Sequence, residues 1–241
     1  MSDKKLTIVH RYFWPQNYPY AIMLKDIAET AKESFSEVEV ISSVHSVEEQ
    51  ERREFWARSV GVSLRSIEMK SEREMSLALK IFSMVKYWLY LTFHLITLKS
   101  DFVMIATTPP VFTAMLVRFI SKVKGFKYIY HCQDIHPESS LINGNIRNKF
   151  IYNLLNRIDK KNVDNAEAVI VLSKDMKNTL TSRGSSSDSI YCINNFIFEH
   201  SQHDFSRKSS DKVKFLFAGT LGYFQNLANL FKVIEKFKRD E

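Results

Sequence analysis

The sequence predicts an α/β protein with a doubly wound parallel sheet, and three observations lead to this fold class. Short runs of β-branched and aromatic residues alternate with segments of helical periodicity along most of the chain. The 241 residues are 45% hydrophobic, which allows one large or two small domains and excludes disorder. Gly and Pro number only 6 and 5, which excludes collagen-like and low-complexity classes.

The elements follow from the residue pattern in chain order. Seven strands are predicted from β-branched and aromatic runs, over residues 6–9, 38–42, 62–67, 102–106, 127–133, 168–172 and 189–193. Five helices are predicted between them from apolar periodicity, over 21–34, 75–98, 111–123, 146–165 and 174–182. Because helices separate successive strands, we expect the strands to lie parallel in one sheet.

The composition of the chain changes after residue 198. Residues 199–212 are polar and basic, and we expect a linker there. A new strand is predicted at 213–218, before an amphipathic helix whose apolar face holds Leu227, Leu230, Phe231 and Ile234. Because one strand and one helix cannot bury each other's apolar faces, we expect 213–241 to begin an incomplete second domain.

The charge pattern favours an anionic partner. The net charge is +7, and two basic clusters stand out, formed by Arg65, Lys70, Arg73, Lys80 and Lys86 and by Arg118, Lys122, Lys124 and Lys127. An anionic membrane surface would attract such clusters, although a solvated basic face explains them equally well. No zinc ligands, RNA-binding aromatic motif or helix-turn-helix accompanies the charge, so a nucleic-acid partner is not predicted.

The long apolar segment 77–98 raises the question of a membrane span. Lys80 and Lys86 lie inside it, and a lysine at the bilayer centre costs roughly 2.5–3.5 kcal/mol. We therefore predict a buried helix or one lying partly in a membrane interface. The start of the chain lacks signal-peptide features and the two cysteines form no disulfide framework. The predicted location is cytoplasmic, at the inner face of the cell membrane.

Ligands of open α/β sheets bind beyond the carboxyl ends of the strands, so the residues that follow each strand are candidates. The loop 10–20 after the first strand is aromatic and stiffened by proline, which suits a pocket for a sugar or a lipid-linked sugar. Packing of these rings on the core is the structural alternative. Arg11 and Tyr20 are the candidate substrate-binding residues of this loop.

The segment 130–139 concentrates polar groups where the fifth strand ends. Four polar or ionisable side chains lie there, those of Asp134, His136, Glu138 and Ser139, and alternation places Cys132, Asp134 and His136 on one side. That pattern invites a metal site, but no second His/Cys cluster supports one, and no metal is predicted. A carboxylate beside a histidine instead suits the positioning of a hydroxyl acceptor. A helix-capping cluster is the structural alternative.

Weaker signals follow the other strands. Thr108 precedes a proline pair and is interpreted as a helix N-cap. Ser173 and Asn195 each follow a strand and are candidate substrate-binding residues, with capping and turn formation as the alternatives. Gly219 and Gly222 lie between a predicted strand and a predicted helix, which is the context of a phosphate-binding turn.

These motifs together resemble the N-terminal half of a family 4 glycosyltransferase of the GT-B fold, particularly the enzymes of bacterial O-antigen, capsule and colanic-acid assembly. The segments that carry the resemblance, in chain order, are 12–15, 107–110, 133–139, 171–173 and 217–222. The resemblance implies two Rossmann-like domains that face each other across a cleft. The first binds the acceptor and the second binds the nucleotide-sugar donor. It also implies transfer with retention of configuration, without a metal or a cofactor beyond the nucleotide sugar.

Carried over by position, the resemblance implies a catalytic role for Asp134, beside the transferring sugar. His136 and Glu138 would line the same wall, and Gly219 and Gly222 would begin the donor-binding loop.

The sequence also departs from the family pattern. Residues 18–20 replace a glycine pair, residues 223–226 replace basic residues, and the remaining donor ligands would lie beyond Glu241. We therefore expect a glycosyltransferase for a lipid-linked acceptor that is truncated and inactive alone. The alternative is a non-catalytic acceptor- and membrane-binding subunit whose donor domain is a separate chain.

Overall fold

The computed structural model describes residues 2–70, 75–107, 110–142, 144, 146–196, 216–217 and 227–237. Its centre is a sheet of seven parallel strands, β1 (Ser2–Val9), β2 (Phe35–Val44), β3 (Ser63–Glu68), β4 (Phe102–Ala106), β5 (Lys127–Cys132), β6 (Ala168–Val171) and β7 (Ile190–Cys192). The spatial order is β3-β2-β1-β4-β5-β6-β7. The doubly wound α/β fold predicted from the sequence is confirmed.

The helices that contribute core residues lie in two layers, one on each face of the sheet, and the described residues form eight helices in all. They are α1 (Pro19–Ala31), α2 (Val47–Val60), α3 (Leu77–Thr97), α4 (Phe112–Lys124), α5 (Glu138–Ile142), α6 (Lys149–Asp164), α7 (Lys174–Ser182) and α8 (Leu227–Phe237). Leu24 of α1 and Trp56 of α2 enter the core on one face of the sheet. Leu91 of α3, Val117 of α4 and Leu180 of α7 enter the core on the other face.

The order of the strands reverses beside β1. The chain first adds β2 and β3 on one side of β1, and then α3 carries it back so that β4 pairs with the other side. Ile8 of β1 accordingly lies beside Val40 of β2 and Met104 of β4. In such a sheet the ligand crevice opens at the carboxyl ends of the strands where the order reverses.

Helix α2 was not among the predicted helices. It buries Arg53 and Trp56, so its core-facing side lacks the apolar repeat that marks an amphipathic helix. Its end signals are nevertheless present in the sequence. The side chain of Ser46 accepts from the backbone N–H of Glu49, and Gly61 ends the helix with a φ of 74°. These are a serine N-cap and a left-handed glycine end.

Several predictions fall on residues outside the described ones. These are the linker 199–212, the strand 213–218 apart from residues 216–217, and the N-cap at Thr108. The predicted helix near the end of the chain is present as α8, and its Leu230 and Phe231 are exposed.

The second basic cluster does not form one charged surface. Arg118 is buried, with its guanidinium carbon 4.9 Å from the centre of the Phe119 ring. Lys127 pairs with Glu167 at 2.6 Å. Lys122, Lys124 and Lys127 are exposed, and the charge of Lys127 is paired with that of Glu167.

Helices α3 and α4 expose an apolar surface away from the sheet. We call it the α3–α4 outer face, and its residues are Phe82, Val85, Leu89, Phe93, Ile96, Phe112, Phe119 and Val123. The spacing is three or four residues in α3, and it is seven and four residues in α4, so each set forms one stripe. Among the described helices, none has the length and hydropathy needed to cross a bilayer.

Candidate functional site

A cleft of about 460 Å³ opens at the carboxyl edge of the sheet, between the loop after β1 and the residues after β5. It therefore lies on the side where the strand order predicts a ligand. Its walls combine aromatic rings with a few polar groups, as ligand sites of proteins commonly do. The lining residues are His10, Tyr12, Tyr18, Pro19, Tyr20, Met23, Gln133, Asp134, Asn195 and Phe196.

The aromatic loop after β1 both lines the cleft and packs on the core. Tyr12 and Tyr18 lie against each other at the cleft, with ring centres 4.6 Å apart. His10 meets the ring of Tyr20 edge-on at 4.9 Å. Phe13 of the same loop is fully buried. The loop was expected either to form a ligand pocket or to pack on the core. Both hold, because Tyr12 and Tyr18 line the cleft and Phe13 packs in the core.

The buried side chain of Arg53 in α2 binds the backbone of this loop. Its Nε donates to the carbonyl oxygen of Trp14 at 2.8 Å, and its Nη2 donates to that of Phe13 at 2.8 Å. Its Nη1 donates to the carbonyl oxygen of Ser43 at 2.7 Å, at the end of β2. A side chain with five fixed donors can satisfy several carbonyl groups at once. Arg53 therefore ties the loop to the sheet.

A chain of four side chains crosses the floor of the cleft, and we call it the Tyr20–Asn195 chain. The Tyr20 hydroxyl lies 3.0 Å from Nδ1 of His131, and Nε2 of His131 lies 2.9 Å from Nε2 of Gln133. Gln133 and Asn195 exchange two amide hydrogen bonds, at 3.0 and 3.4 Å. The chain joins the start of α1, the end of β5 and the segment after β7.

Two buried imidazoles beside the cleft are neutral at pH 7. Burial lowers the pKa of His131 to about 4, with a smaller contribution from the neighbouring His10. Burial likewise lowers the pKa of His10 to about 4, although its ring contacts the carbonyl oxygen of Tyr12. Neither ring supplies a positive charge to the cleft.

Asp134 and Arg11 occupy opposite environments. The carboxylate of Asp134 belongs to an exposed residue on the wall of the cleft, within reach of a ligand. Arg11 is buried, with its carbonyl oxygen accepting from the backbone N–H and the hydroxyl of Ser43. Arg11 is not among the described residues that line the cleft.

His136 faces a second, smaller cavity of about 190 Å³, which it shares with Val111 and Leu155. Its Nδ1 lies 3.0 Å from the Ser139 hydroxyl and 3.2 Å from that of Ser140. Burial is the main cause that lowers the pKa of this imidazole. Asp134 and His136 are thus close in sequence but line different cavities.

Glu138 is engaged in a partly buried ionic cluster. Both of its carboxylate oxygens accept from Arg183, and Tyr152 donates to one of them. Arg183 also donates to Asp159 at 2.9 Å and to the carbonyl oxygen of His136 at 3.0 Å. Burial raises the pKa of Asp159 to about 6. The carboxylate of Glu138 therefore fixes the segment after β5 to α7.

The remaining predicted site residues have simple placements. Ser173 caps α7, and its hydroxyl accepts from the backbone N–H of Met176 at 3.2 Å. Gly219 and Gly222 lie outside the described residues. Across the described ranges, no group of three or more His, Cys, Asp or Glu side chains comes together as a metal site.

Comparison with known proteins identifies the fold. No protein-family model and no curated protein matches the sequence. Among solved structures, HepE of Anabaena in complex with UDP and glucose is 12% identical over 80% of this chain and 45% of that chain, with a TM-score of 0.50. UGT89C1 of Arabidopsis thaliana in complex with UDP is 10% identical over 79% and 51%, with a TM-score of 0.51. The fold is GT-B glycosyltransferase-like.

The chain spans about half the length of the solved structures that it matches, 45% of HepE and 51% of UGT89C1. HepE is also known in complex with UDP-glucose, and that structure matches with a TM-score of 0.50 at 11% identity. At these identities the likeness establishes the GT-B-like fold alone.

Several residues that line the cleft of this GT-B-like domain were not predicted as site residues from the sequence. The two candidate segments after β1 and β5 contain them, and they are His10, Tyr12, Tyr18 and Gln133. Their position directly after β1 and β5 was the available signal. His131 lies within β5 below the cleft, and only the structure reveals its contacts with Tyr20 and Gln133.

Proposed function

We propose that this chain is the N-terminal part of a glycosyltransferase of bacterial surface-polysaccharide biosynthesis, and that its cleft receives both the acceptor and the sugar of the donor. It acts in the transfer of a sugar from a nucleotide-sugar donor to a lipid-linked acceptor, at the inner face of the cell membrane. The observation that carries the proposal is the aromatic, acid-containing cleft at the strand-order reversal of a GT-B-like sheet.

The composition of the cleft suits a sugar. Tyr12, Tyr18 and Tyr20 offer ring faces and edges to the C–H groups of a sugar ring, while Asp134 and Gln133 offer hydrogen bonds to its hydroxyls. Asp134 is proposed as the catalytic residue because it is the carboxylate on the cleft wall. The other described residues that line the cleft have uncharged side chains. An ionised carboxylate there can accept the proton of an attacking hydroxyl or stabilise positive charge on the transferring sugar.

A nucleotide-sugar donor is supported by the bound ligands of the similar structures. HepE was solved with UDP-glucose and with UDP and glucose, and UGT89C1 was solved with UDP. We transfer this ligand class, and no specific sugar, to the present chain.

The α3–α4 outer face supports a membrane-bound acceptor. Phe82 and Leu89 are 68% and 67% exposed, and Phe93 is 63% exposed. Exposed apolar stripes of this size are unusual on proteins that remain fully in water. Lys80 and Lys86 on α3 are exposed beside them, and each cation near an anionic surface contributes about 1 kcal/mol. The proposed lipid-linked acceptor would be reached from this side.

Ligand binding tests the first part of the proposal. Isotope-labelled chain titrated with UDP-glucose should show resonance changes at Tyr20, Gln133 and Asp134, and Asp134→Asn should weaken the binding. Asp188→Asn is the matched control, because Asp188 is exposed and remote from the cleft-lining residues. Equal binding by Asp134→Asn and the unsubstituted chain would reject the role of Asp134. An absence of resonance changes with UDP, glucose and UDP-glucose would reject the proposed ligand class.

Sedimentation with phosphatidylglycerol vesicles tests the membrane part. Binding should decline as salt rises, and the double substitution Phe82→Ser with Leu89→Ser should remove most of it. Phe55→Ser is the control, because Phe55 is 79% exposed on α2, in the opposite helix layer. Equal losses from both variants, or no binding at low salt, would contradict the assignment of the α3–α4 outer face.

A further inference from the structure

The amide pair at the end of the Tyr20–Asn195 chain has a defined orientation. Nδ2 of Asn195 donates to Oε1 of Gln133 at 3.0 Å, so the oxygen of the Gln133 amide faces Asn195. One hydrogen of Gln133 Nε2 is directed to Asn195 Oδ1 at 3.4 Å. Its other hydrogen is directed to Nε2 of His131 at 2.9 Å. Gln133 is therefore a donor toward the imidazole.

This orientation determines which nitrogen of His131 carries the proton. A neutral imidazole has one donor and one acceptor nitrogen. Because Gln133 donates to Nε2, that nitrogen accepts, and the proton lies on Nδ1. Nδ1 is 3.0 Å from the hydroxyl oxygen of Tyr20, and its N–H donates to that oxygen. The neutral state agrees with the burial that lowers the pKa of His131 to about 4.

Among the described residues, the hydroxyl hydrogen of Tyr20 then has no acceptor. Across the described residues, His131 is the hydrogen-bond partner of the Tyr20 hydroxyl, and it is a donor to it. The Tyr20 side chain lines the cleft. A hydroxyl that already accepts from the protein has its own hydrogen left for a second acceptor, which a ligand in the adjoining cleft can supply.

We propose that His131, Gln133 and Asn195 are positioning residues that fix the Tyr20 hydroxyl as a hydrogen-bond donor to an oxygen atom of the ligand in the cleft. The ligand class, a sugar or a nucleotide sugar, rests on the proposed function. The acceptor atom is a sugar or phosphate oxygen. The outward hydrogen of the Tyr20 hydroxyl favours a ligand atom that accepts a hydrogen bond, such as an oxygen with lone pairs. A ligand group that donates is disfavoured, because its hydrogen would lie against the Tyr20 hydrogen.

The chain also has a reversed arrangement that a substitution can select. A carboxylate at position 133 has no hydrogen to donate, so it would accept from Nδ2 of Asn195 and from Nε2 of His131. The imidazole proton would then lie on Nε2, and the Tyr20 hydroxyl would donate to Nδ1. Gln133→Glu is therefore expected to remove the outward donor without removing any hydroxyl group.

Histidine tautomers can be read directly, without any ligand, from two-bond correlations in ¹⁵N-labelled protein. The His131 signals are assigned by their loss in His131→Gln. We expect the proton on Nδ1 in the unsubstituted chain and on Nε2 in Gln133→Glu. Asn194→Asp is the matched control, since it adds the same charge beside Asn195, and its His131 proton should stay on Nδ1. A proton on Nε2 in the unsubstituted chain, or no change in Gln133→Glu, would overturn the proposal.

A double-mutant cycle measures the consequence for binding. Tyr20→Phe should weaken UDP-glucose binding about tenfold, the size of one lost hydrogen bond. His131→Leu, a change below the cleft that removes the donor to Tyr20, should cause part of this loss, and the double variant should bind no worse than Tyr20→Phe alone. If the double variant lost affinity by the product of the two single losses, the proposal would be overturned. Parallel titrations with UDP and glucose show which part of the ligand holds the accepted oxygen. If the unsubstituted chain binds none of these, the proposed function fails, while the tautomer result still decides this inference.

Discussion

Arg53 donates its Nε hydrogen to the carbonyl oxygen of Trp14 across 2.8 Å, from a side chain that is completely buried. The contact joins α2, on one face of the sheet, to the aromatic loop that forms a wall of the cleft. Glu49 of the same helix accepts from Arg53, so the buried charge is paired. The position of the cleft wall thus depends on a cation outside the cleft.

Replacing Arg53 by methionine should lower the free energy of unfolding by about 3–5 kcal/mol, because Glu49 and three carbonyl groups lose their donor. Urea denaturation followed by circular dichroism measures the change. Arg58→Met is the control, since Arg58 forms an exposed pair with Glu54 and should change stability by less than about 0.5 kcal/mol. Similar midpoints for both variants would contradict the structural role of Arg53.

Amide substitutions of Asp134 and Glu138 should have opposite effects on stability and binding. Glu138→Gln weakens the contacts with Arg183 and should cost about 2 kcal/mol of unfolding free energy. Asp134→Asn alters an exposed residue and should cost less than about 0.5 kcal/mol. Denaturation curves of the two variants, recorded beside UDP-glucose titrations, provide the comparison. A stability loss confined to Asp134→Asn would contradict the assignment.

His131 should make stability depend on pH in a known direction. Its folded pKa of about 4 lies below the ordinary value of 6.5, so between these values the unfolded chain binds a proton that the folded chain does not. Stability from this group is present above pH 6.5 and is lost as the pH falls toward 4. His131→Gln should therefore lack a decline of about 2 kcal/mol between pH 7 and 4.5. Parallel stability curves for both proteins would refute this.

Ser173→Ala should lower the free energy of unfolding by about 1 kcal/mol, because the hydroxyl of Ser173 caps α7. Ser173→Asp keeps an acceptor at the same position and should retain most of the stability. Thermal unfolding of the two variants measures the difference. If Ser173→Ala weakened UDP-glucose binding without lowering stability, the capping interpretation would fail and the substrate-binding prediction would gain support.

Most of the fold could be predicted from the sequence because parallel strands that are buried on both faces have a clear pattern. β4 is such a strand, and its prediction over 102–106 coincides with the structure. Helix α2 was not predicted because Arg53 occupies a core position where helical periodicity requires an apolar residue. Its signal lay in the Ser46 and Glu49 cap rather than in the apolar pattern.

The candidate site was predictable as a region but not residue by residue. The ends of β1 and β5 follow from the topology, and Tyr20, Asp134 and Asn195 lie on the cleft. Sequence spacing cannot show that Glu138 faces Arg183, which lies 45 residues further along the chain. The Tyr20–Asn195 chain was hidden for the same reason, since Tyr20 and His131 are 111 residues apart.

Arg183 has a consequence for the order in which the protein is made. It is the donor that binds Glu138 and the carbonyl oxygen of His136, so the segment after β5 gains these contacts only after residue 183 has left the ribosome. The aromatic loop after β1, by contrast, has all the partners of its Arg53 contacts once residue 53 has emerged. Synthesis therefore supplies the partners that hold the first wall of the cleft before those that hold the second.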